Sequence, residues 1–209
     1  MTSRDANKKA QLIVQDILTL PRSSVRKLIA IAGPPAAGKS TIAAQVKQLL
    51  EFKGYPTGFV PMDGFHLGNK ELKNRKLMAF KGAPETFDHE GLAATVRRLK
   101  LGLTVTIPLF DRKSDRTMPE AATVTEEEKY VVIEGNYLLF DEPEWKGLAA
   151  YWDYSVFIEE HVEELTKRLH KRWIDNGFEV AEVLKRTEEN DLPNALRVLE
   201  KRLPSHRTI

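Results

Sequence analysis

Gly33-Pro34-Pro35-Ala36-Ala37-Gly38-Lys39-Ser40 fits the pattern G-x-x-x-x-G-K-[ST] at every fixed position. Ahead of it stands Lys27-Leu28-Ile29-Ala30-Ile31-Ala32, an apolar run without polar alternation, as expected of a strand buried on both faces. Behind it, Ile42, Val46, Leu49 and Leu50 recur at helical spacing until Gly54. In a strand, small-residue loop and helix placed in that order, successive backbone N–H groups converge on phosphate oxygens, and the positive end of the helix adds to the same attraction. Gly33, Pro34, Pro35, Ala36, Ala37, Gly38, Lys39, Ser40 and Thr41 are therefore expected to cradle the phosphates of ATP. Lys39 is expected to reach the β- and γ-phosphates, and the Ser40 hydroxyl to hold Mg²⁺.

Working outward, the spacing of Ile13, Ile17 and Leu20 predicts a helix over about 5–20, ended by Pro21, with Arg22-Ser23-Ser24 as a connection. Thr57 to Met62 reads as a second strand that delivers Asp63 to its carboxyl end, where open α/β sheets bind ligands. Residues 64–87 carry mixed charge and weak periodicity, with a short helix near 70–80, and are read as a substrate-facing insertion. Asp88 is expected to cap a helix marked by Leu92, Val96 and Leu99. Further strands are read at 104–108, presenting Phe110-Asp111-Arg112, at 130–134 and at 153–158, while 120–129 reads as a polar surface crossing. Val162, Leu165 and Leu169 mark a helix bearing Arg168, Lys171 and Arg172; Gly177 interrupts the pattern, 179–189 resumes it, and 190–195 reads as a turn before a last helix. Alternating apolar strands and amphipathic helices predict one α/β domain over 1–209, a parallel sheet covered on both faces, with a lid over about 168–180.

Composition narrows the function classes. Lys plus Arg total 32 against 30 Asp plus Glu, a formal charge of +2, which gives no electrostatic footprint for nucleic acid. There is no cysteine, so disulfides, zinc thiolates and cysteine nucleophiles are out. The polar start of the chain and the lack of an 18-residue apolar run predict neither export nor membrane insertion, with the cytoplasm as the simplest compartment. Trp145, Trp152 and Trp173 are read as packing residues, and monomer and homodimer both fit.

Phosphoryl transfer to a hydroxyl needs a proton acceptor and electrostatic support for the moving phosphate. Asp63 is the candidate base, with a turn cap as the alternative. Glu134, closing an apolar strand, is the candidate Mg²⁺ partner, because a carboxylate buried alone is costly; the two roles are interchangeable at this level. Asp111, Arg112 and His66 are candidates for contact with the acceptor, or else local surface polarity. Arg168 and Arg172, four apart, share a helix face and are read as lid arginines or as a solvated charge run. Asn190 and Asn194 are placed near adenine, or as local caps.

Gly33 to Ser40, Met62-Asp63-Gly64-Phe65-His66, Phe110-Asp111-Arg112 and Val132-Ile133-Glu134-Gly135-Asn136-Tyr137-Leu138-Leu139 together resemble the uridine kinase, phosphoribulokinase and bacterial pantothenate kinase family. The similarity spans about 28–199 and is greatest toward the branch labelled fructose transport system kinase. It implies a P-loop fold with a five-stranded parallel core, an acceptor pocket after the second strand and an arginine-bearing lid. It also implies Asp63 as the hydroxyl-activating residue, Lys39 and Ser40 as phosphate and metal contacts, and Arg168 and Arg172 as lid positions. Where uridine kinases typically carry Asp-Ser-Phe-Tyr this chain has Asp63-Gly64-Phe65-His66, and pantothenate kinases carry a larger substrate region. The expected activity is ATP-dependent transfer of the γ-phosphoryl group to a hydroxyl of a small metabolite such as a sugar or sugar derivative. The alternative is a partner-regulating ATPase or nucleotide switch without such an acceptor.

Overall fold

A computed structural model of the chain describes residues 2–21 and 26–209. The expected connection at Arg22-Ser23-Ser24 falls outside the described residues. Helix α1 (Ser3–Thr19) leads into strand β1 (Lys27–Ala32), helix α2 (Lys39–Phe52) and strand β2 (Thr57–Pro61). A 3₁₀ turn (Met62–Phe65), helix α3 (Asn69–Asn74), two further 3₁₀ turns and helix α4 (His89–Lys100) follow. Next come β3 (Val105–Asp111), β4 (Arg116–Val124), β5 (Tyr130–Gly135) and β6 (Tyr154–Phe157). Helices α5 (Val162–Asp175), α6 (Val180–Arg186) and α7 (Leu192–Glu200) and strand β7 (Arg207–Thr208) complete the chain.

The main sheet is five-stranded in the order β2-β5-β1-β6-β7, and every pairing is parallel. Because β1 is central, its side chains alternate between two cores. Leu28, Ala30 and Ala32 pack with Leu92, Val96 and Leu99 of α4, while Ile29 and Ile31 pack with Ile13 and Ile17 of α1 and with Ile42 and Val46 of α2. Burial on both faces is why the β1 sequence shows no polar alternation. In α1 the buried stripe is Ala6, Ala10, Ile13, Val14 and Ile17, and Leu20 lies just past the helix as its C-cap. As the sequence predicts, Asp88 caps α4, its Oδ1 accepting from Gly91 N at 2.9 Å. Among the described residues no helix is long and apolar enough to cross a membrane.

Four expectations are corrected. The strand expected at 104–108 is not part of the main sheet: β3 runs to Asp111 and pairs antiparallel with β4 in a separate hairpin, and β7 supplies the fifth parallel strand. Residues 116–124, largely read as a surface crossing, form β4; its faces are mostly exposed and it carries Pro119 and Glu120, so no apolar period announces it. The helix near 70–80 is confined to Asn69–Asn74, ending where Lys76 turns left-handed at φ 58°. Residues 190–195 are not a turn. A π-helical segment (Thr187–Asp191) carries α6 without a break into α7, with Pro193 in the first turn where its missing N–H is harmless.

Candidate active site

The loop leaving β1 owes its shape to small residues. At Gly33 (φ +151°) a Cβ would sit 2.5 Å from the Ile158 carbonyl oxygen just past β6, so only glycine fits. Ala36 and Gly38 are left-handed at φ 62° and 89°, which curls the backbone so that α2 starts at Lys39 with its N-terminus facing the cleft. Lys39 is buried, and its Nζ donates to the Pro34 carbonyl at 2.8 Å. Burial pushes its ammonium down to about 8, with the carboxylates of Glu134 and Asp63 pulling the other way.

Ser40 Oγ donates to Glu134 Oε1 at 2.9 Å across the gap between α2 and β5. Glu134 is only 6% exposed; burial raises its carboxyl, opposed by the charge of Lys39. A hydroxyl and a carboxylate held together beside the loop are hard oxygen donors, the set that suits Mg²⁺ shared with phosphate oxygens. The residues present therefore fit the metal: Ser40 and Glu134 would hold it, directly or through water.

Asp63 lies in the 3₁₀ turn past β2, and its Oδ2 accepts from Arg112 Nη2 at 2.6 Å. The contact depends on Gly64, where a Cβ would stand 2.1 Å from the Pro108 carbonyl oxygen; its absence lets the β3 hairpin close on the turn. Gly135 does the same for the neighbouring carboxylate, since a Cβ there would stand 2.4 Å from Met62 Cβ. Each acidic residue is thus followed by a glycine that admits the adjacent chain, a signal present in Asp63-Gly64 and Glu134-Gly135 that the sequence reading did not use.

His66 stacks on Phe87 with centroids 4.0 Å apart and leans on Phe110 at 4.9 Å. Burial holds its imidazole down to about 4, so the ring is neutral at ordinary pH. Asp111 has a different place from Arg112: its oxygens accept from Ser114 Oγ at 2.6 Å and Lys113 N at 3.0 Å, tying the hairpin turn, and it is not on the cleft wall.

The two expected lid arginines differ. Arg168 is anchored, donating to Glu160 at 2.7 Å, Glu164 at 2.8 Å and the Ala36 carbonyl of the loop at 3.3 Å. Arg172, one turn on, makes no hydrogen bond to a described residue; burial and the charge of Arg112 lower its guanidinium while Asp191 and Asp63 pull it back. Asn194 Nδ2 donates to Asn190 Oδ1 at 3.0 Å, and Asn190 Nδ2 donates to the Lys81 carbonyl at 2.9 Å, so these amides link the helical arm to the strap of chain at Lys81 and Gly82. Tyr137 Oη fixes the same strap through the Gly82 carbonyl at 2.6 Å.

Of the residues expected at the site, Pro35, Ala36, Gly38, Lys39, Ser40, Thr41, Asp63, His66, Arg112, Glu134, Arg168, Arg172, Asn190 and Asn194 line one cleft of about 1220 Å³, and Gly33, Pro34, Ala37 and Asp111 do not. Sequence reasoning missed Lys81, Asn136, Phe178 and Arg186 on its walls. Trp173, read as a packing residue, packs edge-on against Phe178 at 5.3 Å and does so on the cleft wall, donating from Nε1 to Asp191 at 2.6 Å under the guanidinium of Arg186, which also covers Phe178 at 4.4 Å.

Comparison with known proteins gives a consistent picture. The family model described as "Phosphoribulokinase / Uridine kinase family" matches residues 28–202. Protein YggC of Escherichia coli K12 is 37% identical over 180 residues, covering 83% of this chain and 73% of YggC. The pantothenate kinase of Streptomyces coelicolor is 32% identical over 160 residues, covering 72% of this chain but only 47% of that enzyme. A crystal structure of a candidate fructose transport system kinase from Silicibacter sp. TM1040 superposes with a TM-score of 0.91 at 43% identity, covering 96% of this chain and 98% of that one.

Proposed function

The chain belongs to the phosphoribulokinase/uridine kinase family of ATP-dependent phosphotransferases acting on hydroxyl groups, and from that premise we propose that it phosphorylates a sugar or sugar derivative with Asp63 as the base. The observation that carries this reading is that Asp63, Glu134 and the buried Lys39 line one cleft at the mouth of the loop.

In the proposed reaction the acceptor hydroxyl gives its proton to Asp63 while its oxygen bonds to the γ-phosphorus of ATP. The bond from that phosphorus to the β–γ bridging oxygen breaks, and ADP leaves with its electrons. Lys39 and the guanidinium of Arg172, which makes no hydrogen bond to a described residue, stabilise charge on the transferred group, and Arg168 holds the loop through the Ala36 carbonyl. Ser40 and Glu134 would hold Mg²⁺, which would supply charge neutralisation on the phosphate oxygens. The sugar assignment is supported by the likeness to the Silicibacter protein and by a cleft wall that combines polar groups with the stacked His66 and Phe87 rings.

The test is an acceptor panel of sugars, sugar derivatives, nucleosides and vitamin-like alcohols that detects phosphorylated product together with ADP. The expected result is ADP formation that depends on an acceptor and matches ester formed. ADP formation that no small molecule stimulates, but a protein partner does, would transfer the case to the nucleotide switch.

A further inference from the structure

We propose that the acceptor carries an anionic group, a carboxylate or a phosphate, which draws Arg112 off Asp63 and so uncovers the base. This rests on Asp63 being the carboxylate that receives the hydroxyl proton.

One of the two Asp63 oxygens is already taken, since Arg112 Nη2 donates to Oδ2 at 2.6 Å, and a positive charge beside a carboxylate makes it a weaker proton acceptor. The pair is asymmetric: the Arg112 side chain is 64% exposed and that of Asp63 30%. Among the described residues Asp63 is the only hydrogen-bonding partner of that guanidinium. Arg112 can therefore swing from the hairpin without breaking any other bond. Two other cations on the wall are held in place. Lys81 is bound to Asp115 at 2.7 Å and Asn69 at 2.8 Å, and Arg186 is bound to Glu182 at 2.8 Å beneath two rings.

A neutral acceptor would leave Arg112 with a poor choice. If it stays, it competes with the hydroxyl for Asp63. If it moves, it stands unpaired in a site where Lys39 and Arg172 already feel its charge unfavourably. An anion on the acceptor removes the conflict, because a guanidinium fork grips carboxylate or phosphate through two parallel bonds. Lys113 lines the cleft beside Arg112 and adds a second positive charge from the hairpin, whereas His66 across the site is neutral. The arrangement thus reads the acceptor twice, by its hydroxyl at Asp63 and by its charge at Arg112.

Matched pairs test this: gluconate against glucose, fructose 6-phosphate against fructose, and ribose 5-phosphate against ribose. Phosphorylated product is measured with MgATP, and binding by calorimetry with Mg²⁺ and a non-hydrolysable ATP analogue. The anionic member of at least one pair should be favoured by about 10- to 100-fold in kcat/KM or in Kd, the range expected of one charge-assisted contact. The carboxylate and phosphate arms show which anion is read. Arg112→Gln should abolish the preference by raising KM for the anionic partner and, by freeing Asp63, should raise and not lower kcat/KM for the neutral partner, and Arg112→Lys should restore part of the preference. Equal use of both members, a preference that survives Arg112→Gln, or a panel in which no anionic member binds or reacts would overturn the proposal. Anion-selective binding without transfer would instead refute the kinase chemistry and leave the anion site standing; transfer without selectivity would do the reverse.

Discussion

Lys39 keeps a positive charge in a place that solvates it poorly, and that has a measurable consequence. Burial brings its ammonium down to about 8 in the nucleotide-free protein. Phosphate oxygens beside the amine favour the charged form, so the complex retains the proton that the free protein loses as pH rises through that value. ATP binding above pH 8 must therefore take up a proton, and affinity should fall by up to about tenfold per pH unit from there toward pH 10. Calorimetry in buffers of different ionisation enthalpy reads the uptake directly. An affinity flat across that range would mean that Lys39 stays charged in the empty loop. The arginines show the same dependence on surroundings: Arg168 is consumed by Glu160, Glu164 and the loop, whereas Arg172 makes no hydrogen bond to a described residue.

At the level of elements, the site exists because two glycines let chains approach. Gly64→Ala should cost about 1–3 kcal/mol in urea denaturation, as overpacking against a backbone carbonyl does, and should lower kcat/KM by displacing Asp63 and Arg112 together. Gly147→Ala, where nothing lies within 4 Å of the new Cβ, is the control and should be close to neutral. Wild-type stability and turnover in Gly64→Ala would show that the β3 hairpin does not need that approach. The elements legible in the sequence were those with a face or faces buried: β1, β5 and α4 carry their burial in their letters. What escaped was held by partners instead of by pattern. β4 is specified by pairing with β3 around an irregular register at Pro108, and β7 by two residues set beside β6. The π segment is specified by what it touches, since Asn190 there reaches the Lys81 carbonyl.

Over the whole molecule, the parallel sheet delivers the loop, Asp63 and Glu134 to one edge because β1, β2 and β5 are neighbours running the same way. That much of the site was readable from strand ends and the loop motif alone. The acceptor wall was not, because it is assembled from the 64–87 segment, the β3 hairpin and the helical arm, whose meeting at Lys81, Asp115 and Asn190 is a matter of long-range hydrogen bonds with no local period. Asp111 and Arg112 illustrate the limit: adjacent letters, yet one ties a turn and the other reaches Asp63. The most direct test of the account follows the γ-phosphoryl group of labelled ATP in wild type and Asp63→Asn with the same panel of acceptors. The account predicts label in a phosphate ester for the wild type, and transfer lowered by about 10²- to 10⁴-fold in Asp63→Asn, with ATP affinity changed by less than about threefold. Label released as inorganic phosphate at the same rate with and without acceptor, or a loss of ATP binding as large as the loss of transfer, would contradict it.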